Sequence, residues 1–510
     1  MTDSVAVDQN FKRQPRLENL LRVLSICKGF ALYFAGCNTV ALRDSLVASL
    51  KQQLNRPIIE LSLDPHNDSY IDVQAAELIK QADDTAVVFI YGLEQLFYLK
   101  DRHVLQELQS HRERYGKLER PIVFWLPDFL ITEMFHQAPD FMDWRSGIYE
   151  FALPPAEQVK LMDSTWQTAN EHFVEQLTLA EKERWIVNIQ NLLAEWGERE
   201  NSKAKSGLLD RLGRLYGSLG QYDAALPYFQ LALKIVQDIC DKQGVGATLN
   251  NLSQIYQAQG DYATALRYLH ESLTISQEMG DKQGVGVTLN NLSQIYQAQG
   301  DYDTALRYLQ ESLTIRQDIG DKQGLGTTLN NLSQIYDAQG DYDTALRYLQ
   351  ESLTIQQEIG DKQGIGVTLN NLSQIYDAQG DYGTALRYLQ ESLTIRQEIG
   401  DKKGVGITLN NLATTAHAQG DYDTALRYLQ ESLTIRQDIG DTAGMCVTLF
   451  NIGHLHWQHD EQPEAFNQWV SAYQIAKKIG WAQALTALDG LAKHLGGEGL
   501  AMWEQLSQQL

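Results

Sequence analysis

Residues 36–43, Gly-Cys-Asn-Thr-Val-Ala-Leu-Arg, follow the apolar run 29–36 (GFALYFAG) and open a helical pattern. A glycine between strand and helix is a place where backbone amides can close on a phosphate. That chemistry needs G-x-x-x-x-G-K-[ST], with Lys balancing the phosphate charge and a hydroxyl holding magnesium. Counted from Gly36, the pattern meets Ala41, Leu42 and Arg43 where the second Gly, Lys and Ser/Thr belong. Leu42 cannot neutralise a phosphate, and Arg43 comes one position late, on a different part of the helix. Further on, VVFIYGLEQL (87–96) places Tyr91 and Gly92 where an acidic pair would order magnesium and water, leaving Glu94 nearby. Glu94 reads as a carboxylate at a helix start. The turn is expected to keep the shape of a phosphate site and to lack its chemistry. No Ser-His-Asp, Cys-His or metal-ligand spacing stands out. The four cysteines (Cys27, Cys37, Cys240, Cys446) are scattered, without a CxxC pair. Hence no catalytic residue, metal or cofactor is expected, and the chain reads as a non-enzyme.

Internal repetition is the strongest organising signal. From about residue 241 the chain repeats every 40 residues, and the unit Gly280–Ile319 recurs from Gly320, Gly360 and, more loosely, Gly400. Within a unit, Asp281 is a suitable N-cap, and Val285, Leu289, Leu292 and Tyr296 form one helical stripe. QGDY then breaks the pattern. A second helix carries Tyr302, Ala305, Leu306, Leu309 and Leu313 inward and stops at Gly320. Two helices this short cannot bury both stripes alone, so neighbouring units must stack into a solenoid.

With L-S-x-x-Y at Leu292, Ser293 and Tyr296, G-D-Y at Gly300–Tyr302, and Ala305, the unit resembles a tetratricopeptide repeat. The first copy is closest, with Leu212, Gly213, Tyr216, Gly220, Tyr222, Ala225, Phe229 and Ala232 in place. The middle copies put Ser293 and Ser312 at the helix crossing and have no Pro ending the second helix, which lengthens the period. The long form with TLNNL is similar to repeats of kinesin light chains and of bacterial signalling proteins. The resemblance implies that first helices line a concave groove able to hold an extended peptide. On it the groove residues are expected to be Asn250, Asn290, Asn330, Asn370 and Asn410, with Gln254, Gln294, Gln334 and Gln374 one turn on. The second Asn of each pair (Asn251, Asn291, Asn331, Asn371, Asn411) is expected to bond between repeats. Gln257 and Gln297 give way to Asp337, Asp377 and His417, which would grade the groove chemically.

Ahead of the repeats, the runs 29–36, 57–62, 86–91 and 121–126 alternate with helical patterns at Leu42–Leu54 and Tyr70–Gln81, which argues a parallel α/β sheet. The order resembles the P-loop core of signal-transduction ATPases that carry repeat arrays. The segment 136–151 is dense in aromatics. Phe141, Trp144, Tyr149 and Phe151 are expected to pack the sheet edge, with Arg145 beside a carboxylate; a partner surface is the alternative. Thr178 and Glu181 make a capping box before Ile186, Ile189, Leu192 and Leu193. The expected organisation is a degenerate P-loop-like α/β domain at 18–155, a helical connector at 156–205 docking on the first repeat, seven repeats at 206–480, and capping helices at 481–510 with Trp481 and Trp503 in their core.

The formal charge of −23 and pI near 4.9 disfavour nucleic acid and favour a neutral or basic partner. The polar start lacks a signal-type apolar region, and no run approaches the length of a membrane span, so a soluble cytoplasmic protein is expected. The favoured function is a non-catalytic scaffold or sensor that binds a peptide or protein in the groove. The alternative is a switch ATPase with an atypical site, regulated by ligand on the repeats.

Overall fold

The computed structural model describes residues 15–37, 40–63, 83–94, 112–151, 173–196 and 202–508, with single positions between 97 and 110. The helical pattern at 70–81 lies outside the described residues. The chain forms two compact units, residues 1–168 with 181–200 and residues 169–180 with 201–510, so the segment read as a connector is shared between them.

In the first unit the four apolar runs form β1 (Ala31–Gly36), β2 (Ile58–Ser62), β3 (Val87–Tyr91) and β4 (Pro121–Leu126). All pairings are parallel, in the order β2-β3-β4-β1-β5, where β5 is Arg145–Glu150. Central strands of such a sheet are covered on both faces, which is why they are apolar at nearly every position. Leu32, Phe34, Ile122 and Phe124 face one core, and Tyr33, Ala35, Val123 and Trp125 face the other. The edge strand β5 carries no such run and has no strand signal in the sequence. Around it the aromatics pack as expected: Phe141 is buried among Phe34, Tyr115 and Phe124, and Trp144 meets Phe30 edge-on at 5.8 Å. Arg145, expected beside a carboxylate, donates to the Met142 carbonyl at 2.9 Å and lies over the Phe135 ring.

The second unit contains fourteen successive helices, from Lys203–Ser218 to Gln462–Ile479, paired into seven two-helix repeats. Both Asp residues of a repeat act as caps: Asp281 accepts from the Gly284 amide at 2.9 Å and Asp301 from the Thr304 amide at 3.1 Å. Gly320 ends its helix in the left-handed region at φ +68°, where a side chain would be strained. Ala305 and Leu309 share a core with Leu332 and Ile335 of the next repeat, so each repeat is completed by its neighbour. After the last repeat, helices Ala482–His494 and Leu500–Ser507 cover the array, with Trp503 fully buried and its indole N–H donating to the Leu488 carbonyl.

First helices of successive repeats pack on one another while second helices barely meet, so the solenoid curves with its first helices inside. The curvature brings the seventh repeat and the cap back onto the first two. Thr442 Oγ1 donates to the Leu219 carbonyl at 2.9 Å and Gln483 donates to the Tyr262 hydroxyl at 3.1 Å; Lys403 of repeat six pairs with Glu175, ahead of the first repeat, at 2.9 Å. Ile439 and Ile479 are buried there, whereas the matching Met279, Ile319 and Ile359 are 38–43% exposed. The contacting turns are specialised: Lys242, Lys282, Lys322, Lys362 and Lys402 are replaced by Thr442 and Ala482. Thr442→Lys should therefore open the closure at a cost of roughly 1–3 kcal/mol, because it presses a charge against an apolar contact. A lowered Tm and a larger X-ray scattering radius would show it; Lys322→Thr, on an exposed turn, should change neither.

Candidate functional site: a filled crevice and an inner groove

The order β2-β3-β4-β1-β5 places β1 between β4 and β5, while the chain leaves β1 for the far edge. Such a switch point leaves a crevice at the carboxyl end of β1, where parallel sheets bind ligands. Side chains of the chain itself are tied to one another near it. The Cys37 amide donates to the Leu126 carbonyl at 2.7 Å, which commits the first amide after β1 to the sheet. The Arg43 guanidinium lies 4.8 Å from the centre of the Tyr91 ring and bonds Asp44 at 3.0 Å. The Tyr91 hydroxyl donates to Glu60, which also takes Lys51 at 2.5 Å. Burial, followed by the Glu60 charge, raises the Tyr91 pKa, and the Lys51 bond holds Glu60 below the usual carboxylate range. The Arg43 guanidinium is thus committed to Tyr91 and Asp44, and Glu60 and Lys51 continue the contacts along β2 and the helix Val40–Gln53.

Glu94 is 7% exposed, and its Oε2 has no hydrogen-bond partner among the described residues. Burial raises its pKa, with Arg43 opposing only in part. A carboxyl whose folded pKa exceeds its unfolded value near ~4.3 supports folding below that value and loses this support as pH rises. Glu94→Gln should therefore stabilise the protein by roughly 1–3 kcal/mol at pH 7 and by little at pH 4. Melting curves at the two pH values check the difference.

In the groove the two expected ladders separate. Asn290, Asn330, Asn370 and Asn410 are 3–5% exposed and Asn250 is half-buried. Their amides donate to Thr288, Thr328, Thr368, Thr408 and Thr448 of the next repeat at 2.9–3.2 Å. Ser272, Ser312, Ser352, Ser392 and Ser432 on the second helices complete this seam by donating to carbonyls of Gly246, Gly286, Gly326, Gly366 and Gly406. The first-Asn ladder therefore sits inside the stack rather than on the groove surface, because a buried amide must find partners and the adjacent Thr and Ser supply them. The second Asn also bonds between repeats, but backward: Asn291 donates to Asn250 and Asn371 to Asn330.

Gln254, Gln294, Gln334 and Gln374 are exposed on the inner face. Seven residues before each, two turns earlier on the same face, runs a column the sequence reading passed over: Ala247, Val287, Thr327, Val367, Ile407 and Val447. Val287, Val367, Ile407 and Val447 are 38–41% exposed. The signal was a β-branched residue on an otherwise polar face. At the start of the groove, a cavity of about 630 Å³ lies between the first helices of repeats one and two, lined by Arg214, Asn251, Gln254, Glu175 and Lys403. Gly213 lets the buried Phe229 ring pack against its helix; a Cβ there would fall 2.6 Å from the ring. Burial works against the Lys403 charge, yet the Glu175 carboxylate more than offsets it and its pKa rises.

The tetratricopeptide repeat family pattern matches residues 206–278, 284–358, 325–398 and 404–478, together just over half of the chain. The chain belongs to the tetratricopeptide repeat family. No curated protein matches it. Among solved structures it is similar to a Rap protein complexed with Competence and Sporulation Factor, at 14% identity over 63% of this chain and 91% of that one, TM-score 0.47. It is also similar to BtubC from P. vanneervenii (23% identity, 42% and 89% covered, TM-score 0.36). A third is the Signal Transduction ATPase with Numerous Domains protein with a tetratricopeptide repeat sensor from Pyrococcus horikoshii (13% identity, 96% and 88% covered, TM-score 0.39). These are distant likenesses.

The two ladders should respond differently to truncation. Asn330→Ala removes the buried amide that reaches Gly326, Ser352 and Thr368 and should cost roughly 1–3 kcal/mol, whereas Gln334→Ala should stay within about 0.5 kcal/mol. Thermal melting of the two variants measures the contrast.

Proposed function

We propose that this protein is a non-catalytic scaffold or sensor whose solenoid binds an extended peptide, or an extended segment of a protein, along its inner face. The observation that carries this reading is the pairing of two exposed columns on the first helices. The amides of Gln254, Gln294, Gln334 and Gln374 offer donors and acceptors to a peptide backbone. Beside them Val287, Val367, Ile407 and Val447 leave apolar surface in water at matching positions of four repeats. Apolar groups so placed favour a partner that covers them. Asp337 and Asp377 bring acid to the same face, and burial raises the Asp337 pKa. With the charge of −23, they favour a neutral or basic segment.

The crevice of the first unit fits a pseudo-ATPase role, since Arg43 is already stacked on Tyr91 and the Glu94 carboxyl is buried. The switch ATPase is a second reading because the strand order keeps a switch point at the end of β1. Calorimetric titration of the full chain with ATP and magnesium separates the two. No heat is expected; saturable binding that is lost in Arg43→Ala would favour the switch. For the groove, peptides selected from a random library on the full chain should be richer in Lys and Arg than in Asp and Glu. Their affinity should fall tenfold or more in Gln294→Ala/Gln334→Ala or in Val367→Asp, and stay unchanged in Glu94→Gln. Selected peptides indifferent to all the groove substitutions would sink the proposal.

A further inference from the structure

The inner face is nearly periodic across repeats two to five and departs from the pattern in repeat six. Where those four repeats read Leu-Ser-Gln-Ile-Tyr, the first helix of repeat six (Lys402–Ala418) reads Leu412-Ala-Thr-Thr-Ala416. Each departure shortens or depolarises a side chain. Ser253, Ser293, Ser333 and Ser373 turn their hydroxyls to a backbone carbonyl of their own helix at 2.6–2.7 Å; Ala413 has no such group. Thr414 takes the place of the long, exposed glutamine.

At this point a cavity of about 300 Å³ opens between the first helices of repeats six and seven. Its floor is Ala413, Ala425, Leu429 and Leu455, and its mouth is edged by Asn451 and His454. The mouth is held in place. His417 and Gln458 are hydrogen-bonded to each other across it, and the His454 ring stands edge-on to Phe450 at 4.6 Å and Trp469 at 5.3 Å. No carboxylate, lysine or arginine lines the space, and burial lowers the His454 pKa from its ordinary value, so the imidazole is largely uncharged at pH 7. A charged ligand group would find no counter-ion there. An apolar cavity of about 150 Å³ is already enough to hold benzene, so this one has room for a substituted ring with its polar edge at the mouth.

We infer that the notch between repeats six and seven is a subsite for an aromatic side chain carrying a polar edge, a tyrosine-type phenol, of the segment bound in the groove. The ring would lie on the Ala413–Leu429–Leu455 floor and the hydroxyl would meet Asn451 or His454. The inference rests on the groove reading, because the notch opens on the same face as the exposed glutamines.

The probe is p-cresol, the tyrosine side chain without its backbone, titrated into the full chain while the histidine imidazole resonances are followed by NMR. Saturable binding in the millimolar range, moving His454 and His417 most, is expected, and n-butylammonium should move neither. Ala413→Ser/Thr414→Gln restores the residues that four folded repeats already carry, so the fold should be kept, and p-cresol should bind at least fivefold more weakly. Absence of a saturable shift, or an equal shift in the double variant, overturns the subsite. If library peptides still depend on Gln294 and Gln334 in that event, the subsite alone fails; if they do not, the groove reading fails with it.

Discussion

Each repeat leaves polar groups that it satisfies only in part by itself. The amide of Asn330 bonds Gly326 and Ser352 within its own repeat and finds its Thr partner only in the following one. A buried amide without a partner costs on the order of 1–3 kcal/mol, so the stack has one register in which these groups all meet. Apolar stripes drive the helices together but would tolerate a slip. The Asn–Thr–Ser seam does not, and it is repeated from Asn250 to Thr448. Next to it lies a second device: Arg316 and Arg436 are buried, bonded to a serine on their own helix and to the Asp that caps the next one. The glycines opening each first helix give these guanidiniums space; a Cβ at Gly324 would fall 1.3 Å from Arg316 Nη1.

Uniform stacking fixes a uniform curvature, and the curvature accounts for the special sequence at the two ends. Where the solenoid returns on itself, lysines on the turns give way to Thr442 and Ala482, and Leu219 takes the place of a glutamine. The exposed turns keep lysine, which opposes the same contact between separate molecules. Departures from the repeat cluster at the two notches as well, with Gly213 and Gly217 in one and Ala413 and Thr414 in the other. The periodic middle supplies a continuous face, and the divergent ends supply shape.

The first unit is a parallel α/β sheet with a topological switch point at the end of β1. Its strand order is set by burial on both sheet faces, which constrains none of the residues at the end of β1. Arg43, Tyr91, Glu60 and Lys51 form a chain of contacts that runs from the start of the helix Val40–Gln53 across β3 and β2 to its last turn.

The sequence by itself determined the local and the periodic: two helices per unit, their Asp caps, the stop at Gly320, four apolar strands, and the loss of the phosphate-loop residues. These follow from side-chain spacing and backbone preference within a few residues. It could not determine which of two adjacent polar positions faces a neighbour. Asn290 and Gln294 lie one turn apart and are both amides, yet one is buried in the seam and the other is exposed. That choice depends on a Thr and a Ser contributed from elsewhere in the stack. The edge strand β5 was hidden for a similar reason, since RSGIYE pairs along one side only and needs no apolar run. Closure of the array joins Leu219 to Thr442 across more than two hundred residues. Only the sum of many small rotations between repeats brings them together, and no local pattern records that sum.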